Sequence, residues 1–250
     1  MSDEPYSFCV LIPVYNHPDK IEYIVNYLVK QKMPVLLVDD GSDFTCAQHI
    51  KKIAESYEGV ELSRLDRNQG KGAAVCHGLK LLYSKRFTHA LQIDADGQHD
   101  INDIKSFLAL SNKYPNAVIS AFRPYEQMPT GRARGRKITD FWVRVNTLSN
   151  TIKDSMCGFR LYPLVISNKV ISRYKIAKRM AFDTDIMVKL YWEGVDVKHI
   201  VSNVTYNDNA VSHFLLFRDN LGITLMHTQA FFGMLRRFLP LVRRYLCTRS

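Results

Sequence analysis

The sequence predicts an α/β fold, a mainly parallel sheet with helices on both faces, and three observations carry that prediction. From residue 7 to residue 122, short apolar runs alternate with stretches whose apolar residues recur at three and four, the mark of repeated βα units. Acidic clusters stand where the apolar runs end, which in such a sheet is the ligand-binding edge. The chain has 250 residues, 46% of them hydrophobic, enough for one sizeable core.

Each element follows from its own pattern. Residues 7–15, "SFCVLIPVY", form a buried-strand run. The helix after it has Pro18 for its first turn, Asn16 or His17 as a cap, and Ile21, Ile24, Val25, Leu28 and Val29 on one face. "PVLLVDDGSD" is a second strand ending in acids and a turn. A helix near 45–57, the strand "GVELSRL", a helix near 72–83, the strand "THALQID", a helix near 102–111 and the strand "NAVISAF" continue the series. The rhythm then breaks. "RPYEQMPTGRARGRK" is basic and rich in Pro and Gly and is expected to be a mobile loop. A helix over about 138–152, the strand "CGFRLY", a helix over about 182–193 and the strand "VDVKHIV" follow. The remainder reads as helical with an interruption at Pro240.

Composition narrows the function classes. Thirty-four Lys and Arg against 24 Asp and Glu give a net charge of +10, which suits an anionic partner: a nucleotide, a phospholipid surface or nucleic acid. "MSDEPYSFCV" has no secretory signal pattern, and no apolar run approaches the ~18 residues of a membrane span. The five cysteines Cys9, Cys46, Cys76, Cys157 and Cys247 show neither CxxC spacing nor an even framework. A cytoplasmic location is expected.

The chemistry concentrates in "ALQIDADGQHD". In extended backbone, residues two apart project to the same side, so Asp94 and Asp96 offer two carboxylates on one face and Gln98 a third oxygen. Like charges at that spacing call for a cation. Hard oxygen ligands suit Mg2+ or Mn2+, which take few protein carboxylates and complete their shell with phosphates. A calcium loop is excluded, because His99 and Lys105 stand where its glycine and glutamate belong. Asp100 or Asn102 can cap the next helix. In "VDDGSD", a strand-end carboxylate, Asp39 or Asp40, suits a base or ribose contact and Asp43 a helix cap. "RNQGKGAAVCHG" has Val75 where a dinucleotide fingerprint needs its third glycine, and no P-loop exists anywhere. Lys71 remains a phosphate or sugar contact at a helix start.

Taken in order, "VLIPVYN", "VDDGSD", "NQGKGAA", "DADGQHD" and "CGFRLY" resemble the family 2 glycosyltransferases of the GT-A fold, a Rossmann-like nucleotide-diphospho-sugar transferase architecture. The nearest likeness is to the dolichol-phosphate-mannose-synthase-like branch, over roughly residues 7–206. The resemblance implies a UDP- or GDP-sugar donor, with Pro13, Tyr15 and Asp40 at base and ribose. It implies Lys71, Asp94, Arg123 and Arg136 around the diphosphate, and an Mg2+ or Mn2+ ion on Asp94, Asp96 and Gln98. In "AFDTDIMVKLYWEG", Asp183 falls where the family's catalytic carboxylate is expected, with Asp185 the near alternative. Asp183 would act as base toward a hydroxyl acceptor, with inversion, or merely orient a lipid phosphate. Arg160, Ser212 and His213 are candidate acceptor contacts. Arg132, Arg134 and Lys137 are expected to be solvated loop charge, Cys157 packing, and His17, His77 and His199 structural or exposed.

The expected organisation is a catalytic domain over residues 1–215 and a C-terminal amphipathic helical extension over residues 216–250. At ~100° per residue, Phe231, Leu235, Phe238, Leu239, Val242, Tyr245 and Leu246 share one side of it, and Arg236, Arg237, Arg243 and Arg244 the other. Two readings stay open: a helix lying in an anionic membrane interface, or one packing its apolar face on the sheet or on a second copy. The expected function is a metal-dependent, inverting hexosyltransferase acting on a lipid-linked or lipid-associated acceptor, peripheral on the cytoplasmic face of a membrane. Nucleic acid is not an expected partner, and a homo-oligomer is allowed. The enzyme alternative is a sugar-1-phosphate nucleotidyltransferase, whose arginine-bearing glycine-rich loop is missing from "IPVYNHP". The non-enzymatic alternative is a basic membrane-surface or nucleic-acid adaptor on the same fold.

Overall fold

A computed structural model describes residues 5–128, 130–203 and 216–247, with the side chains of residues 127, 132, 216 and 217 excluded. One seven-stranded sheet organises the chain. Its strands are β1 (Phe8–Val14), β2 (Val35–Asp39), β3 (Val60–Arg64), β4 (His89–Gln92), β5 (Val118–Phe122), β6 (Arg160–Pro163) and β7 (Val197–Val201). They lie in the order β3-β2-β1-β4-β6-β5-β7. All neighbours pair in parallel except β6, which runs antiparallel to both β4 and β5. β1, β2 and β4 are almost wholly buried, as expected of strands covered on both faces.

The helices divide between the two faces. α1 (Ile21–Lys30), α2 (Phe44–Ser56) and α4 (Ile104–Lys113) cover one core, which includes Ile24, Leu28, Ile50 and Phe107. α3 (Lys71–Ser84), α5 (Thr130–Thr147), α6 (Leu164–Arg173), α7 (Phe182–Trp192), α8 (Leu216–Leu235) and α9 (Phe238–Cys247) lie with the other, which includes Val75, Leu79, Phe182 and Leu190. α3 packs tightly on the start of α7. A Cβ added at Gly72 would stand 2.4 Å from Phe182 Cβ and 2.5 Å from the Ala177 carbonyl.

Four local expectations need correction. α1 begins at Ile21 without a side-chain cap. Asn16, held at φ 46°, instead accepts from the Asp43 N–H at 2.9 Å and donates its own N–H to Ser42 Oγ at 3.0 Å. The basic segment after Met128 is helical from Thr130, not a loop, and α5 ends at Thr147 rather than near 152 because Leu148 takes φ 51°. α6 has no counterpart in the sequence reading. Its Val165, Ile166, Val170 and Ile171 favour strands, yet its buried residues Leu164, Ser167, Val170 and Ile171 share a helical face. The break near the C-terminus falls at Arg236 and Arg237, and Pro240 sits in the first turn of α9, where its missing N–H leaves no bond unmade.

The C-terminal helices dock inside out relative to simple amphipathic expectation. Arg237 stacks over Trp192 and Tyr174 and donates to Tyr174 Oη at 2.8 Å. Arg244 stacks over Tyr191, donates to the Tyr191 and Val195 carbonyls, and pairs with Asp196 at 3.1 Å. Ala230, Met234 and Leu241 join the α3–α7 core, and Met226 is also buried. No described helix is long and apolar enough to cross a membrane.

Gly72→Ala should destabilise the protein by ~1–3 kcal/mol, as overpacking does in a tight core. Urea denaturation checks this, and an unchanged midpoint would show that Phe182 and the Ala177 backbone can yield.

Candidate active site

A cleft of about 1420 Å3 opens over the carboxyl ends of β1, β2 and β4, and α5 and α8 form its far wall. Pro13, Tyr15, Asp40, Lys71, Asp94 and Asp96 line the sheet side, with Gln98 beside them; Arg123 and Arg136 lie on the wall toward α5. The sequence-expected donor and metal residues thus come together around one space.

The floor is held by a fixed cation. Lys71, first residue of α3, places Nζ 2.8 Å from Asp94 Oδ1, 2.9 Å from Asp94 Oδ2 and 3.0 Å from Asp183 Oδ2. Only the Oδ2 contact to Asp94 is aligned as a hydrogen bond, so buried Oδ1 feels the charge without a directed donor. Gly158 makes the approach feasible, since a Cβ there would lie 2.6 Å from Lys71 Nζ and 2.7 Å from Asp94 Oδ2. Burial pushes the Asp94 carboxyl up, but Lys71 and His99 outweigh it and hold the group well below the usual carboxylate range. For Lys71 burial pulls down, and Asp183 and Asp94 outweigh it to raise the ammonium above its ordinary value.

Asp183 lies beneath this ammonium. It is 6% exposed, stands 3.5 Å from Gln92 Nε2 and does not line the cleft. Asp185 faces elsewhere, accepting from the Ala177 N–H at 2.8 Å and pairing with Lys189 at 2.6 Å. Burial raises its carboxyl despite Lys189. Arg160 is fully buried below the floor, donating to the backbone carbonyls of Asp183 and Ser155, each at 2.5 Å. It therefore ties the segment before β6 to the start of α7 and does not reach the cleft.

The remaining acids sort by environment. Asp40 spends both oxygens on the Gln69 and Gly70 N–H groups at 2.8 and 2.7 Å, and burial still raises its carboxyl. Asp43 and Asp100 cap as expected, accepting from the Cys46 and Asn102 N–H groups. Asp96 keeps a cleft position and accepts the Gln98 N–H at 3.0 Å. Among the described residues no three His, Cys, Asp or Glu side chains converge as a ready-made metal site.

Asp154, unmarked in the sequence reading, organises the arginine wall. Its carboxylate takes two donors from Arg123, at 2.8 and 3.1 Å, and Arg136 lies 3.4 Å away. Burial pushes Asp154 up, yet the arginines hold it below its ordinary value. Arg136 is 1% exposed, donates to the Arg123 and Lys153 carbonyls, pairs with Asp140 and stacks over Tyr125. This network explains why a segment that reads as loop is helical. Trp142, Asp219 and His227 on the far wall were also missed, because α5 and α8 meet only in three dimensions. Burial lowers His227 to about 4, so its ring is neutral. The expected acceptor residues Ser212 and His213 lie outside the described residues, as does the side chain of Arg132. Arg134 and Lys137 are exposed on α5, Cys157 is buried, and His77 and His199 make internal hydrogen bonds to Ser63 and the Thr151 carbonyl.

The family model "Glycosyl transferase family 2" matches residues 9–180. The chain is a family 2 glycosyltransferase. It is 25% identical to a dolichyl-phosphate beta-glucosyltransferase of Dictyostelium discoideum, over 80% of this chain and 67% of that protein. It is 31% identical to a UDP-N-acetylglucosamine–dolichyl-phosphate N-acetylglucosaminyltransferase of Methanococcus voltae, over 68% of this chain and 74% of that one. In three dimensions it is similar to the glucosyl-3-phosphoglycerate synthase of Mycobacterium tuberculosis, solved with Mn2+, UDP-glucose and phosphoglyceric acid. There the TM-score is 0.59 at 14% identity, covering 93% of this chain and 79% of that one, a likeness of fold. Membership removes the nucleotidyltransferase alternative, and the GT-A architecture stands.

For this glycosyltransferase the floor charges set a pH signature. Asp94's low folded value gives stability that is present above about pH 4 and fades as acid protonates the group. Lys71's raised value gives stability that persists below about pH 10 and fades in strong base. Lys71→Met should cost ~2–4 kcal/mol near neutrality, less than a fully sealed pair because both partners keep some water contact. The deficit should shrink at about pH 4, where the orphaned carboxylates can protonate. Paired denaturation curves at the two pH values check this; an equal deficit at both would remove the charge-balance role.

Proposed function

We propose that this glycosyltransferase moves a hexose from a UDP-linked sugar to the phosphate of a polyprenyl lipid, with inversion and with a divalent cation at the donor diphosphate. The observation that carries the acceptor class is the position of Asp183, 6% exposed and beneath the Lys71 ammonium. A hydroxyl acceptor needs a base within hydrogen-bond reach of its proton, and Lys71 stands between Asp183 and the cleft. A phosphate monoester arrives already anionic and needs none. The dolichyl-phosphate acceptors in the names of both relatives support the same class, and the UDP-sugar in the name of the Methanococcus voltae protein supports the donor.

The residues fit a cation of the Mg2+ or Mn2+ type. Asp94 and Asp96 line the cleft two positions apart, Asp94 Oδ1 is buried without a directed donor, and Gln98 is adjacent. Such a small carboxylate set leaves coordination positions for phosphate oxygens. When bound, the ion supplies Lewis-acid stabilisation of the departing diphosphate. Lys71 keeps Asp94 ionised and oriented, so a ligand oxygen is ready before the donor arrives. Asp40 fixes the backbone of Gln69 and Gly70 just ahead of α3, shaping the donor side. Asp183 positions Lys71 and takes no proton. The acceptor phosphate would attack the anomeric carbon opposite the departing diphosphate, and a single displacement inverts that centre.

Two measurements test this. Transfer from UDP-glucose or UDP-N-acetylglucosamine should occur with dolichyl phosphate and not with dolichol; equal transfer to the alcohol would restore a base and reject the phosphate reading. Asp96→Ala should weaken Mn2+-dependent UDP binding in calorimetry by more than the ~10–100-fold typical of an outer-shell partner, and unchanged affinity would remove the ion from this pair.

A further inference from the structure

Ten of the sixteen exposed large apolar side chains among the described residues belong to α5, α8 and α9. On α8 the exposed residues Leu221, Leu225, Phe232 and Leu235 are spaced by four, seven and three, which puts them on one side at ~100° per residue. The opposite side, Met226, Ala230 and Met234, is buried, the last two in the core around α3 and α7. α8 is therefore apolar on two faces, and only one is covered. α9 continues the exposed side with Phe238 and Leu239, 78% exposed in the latter case. Its inward anchors are Leu241 and the stacked Arg244.

The charge of the molecule gathers on the same three helices. Residues 130–147 hold five basic and one acidic side chain, and residues 216–247 again five and one. Eight of the ten net positive charges are therefore in these two segments. Six of these basic side chains, Arg134, Lys137, Arg144, Arg218, Arg236 and Arg243, are exposed, while Asp140 and Asp219 are buried. Two copies meeting through this face would bring like charges together, whereas an anionic lipid surface would neutralise them. Exposed Ile138 and Trp142 of α5, together with Ile223 of α8, also line the cleft, so the apolar face runs into the mouth of the site.

We propose that the outer face of α5, α8 and α9 docks on an anionic lipid monolayer, burying the apolar stripe and setting the cleft mouth at the membrane surface. The placement deepens the lipid-acceptor reading and rests on it for its purpose, but binding can be measured without the reaction. The full chain is sedimented with vesicles of phosphatidylcholine alone or mixed with phosphatidylglycerol, at low and high salt. The wild type should bind the anionic vesicles and weaken with salt. The triple variant Leu225→Glu/Phe232→Glu/Leu239→Glu should bind at least ~10-fold more weakly, with UDP binding and melting temperature kept. A control at exposed aromatics elsewhere, Tyr23→Glu/Phe44→Glu, should bind like wild type. Should the triple variant fold poorly, Arg236→Glu/Arg243→Glu, at two exposed arginines, should lower anionic binding alone. No vesicle binding by the wild type, undiminished binding by the triple variant, or a dimer that the triple variant splits would overturn the proposal. Vesicle binding without transfer to dolichyl phosphate would uphold it and reject the acceptor class instead.

Discussion

The site depends on one ammonium shared between two carboxylates. Lys71, Asp94 and Asp183 come from the start of α3, the segment after β4 and the first turn of α7. Two acids this close repel strongly away from bulk water, and Lys71 lying between them lets the three segments meet. Its neighbour Gly72 lets α3 approach α7, and Gly158 leaves space for the ammonium itself. With Arg160 Nη1 4.0 Å from Asp183 Oδ1, two protein cations face the two floor carboxylates. The lip, where Asp96 and Gln98 face the cleft, is where a ligand's charge can still be accommodated.

The same rule orders the rest of the wall. Among the described residues, the acids sunk beneath this wall have protein partners: Asp154 has Arg123 and Arg136, Asp185 has Lys189, and Asp40 has two backbone N–H groups. These partnerships hold loops and helix ends in register. Burial thus distinguishes anchoring acids from those available to a ligand, a distinction that residue type and spacing alone do not make. The arginines behave likewise. Arg136 and Arg160 are consumed by internal acceptors, so any role they play toward an anion is through the shape and potential of the wall.

Much of the fold could be read from periodicity. β1, β2 and β4 are short apolar runs, α1 has its stripe at three and four, and the acid clusters mark the strand ends. What escaped was decided by tertiary contacts. α6 is built from strand-favouring residues that its packing overrides, and the first turns of α5 are stabilised by the buried, stacked Arg136. Asp183 and Asp185 are equivalent in sequence, but a helix turns two residues about 200° apart, sending one to Lys71 and the other to Lys189. The partnership of Lys71 and Asp183 spans 112 positions, and no local pattern could announce it.

The central claim is most directly tested by following the Lys71 side-chain 15N resonance across pH. The account predicts an ammonium that stays protonated well above the ordinary lysine value of about 10.4, exchanges slowly with water, and reverts toward that value in Asp183→Asn. An Lys71 resonance that titrates normally in both proteins would contradict the shared-ammonium floor and the site built upon it.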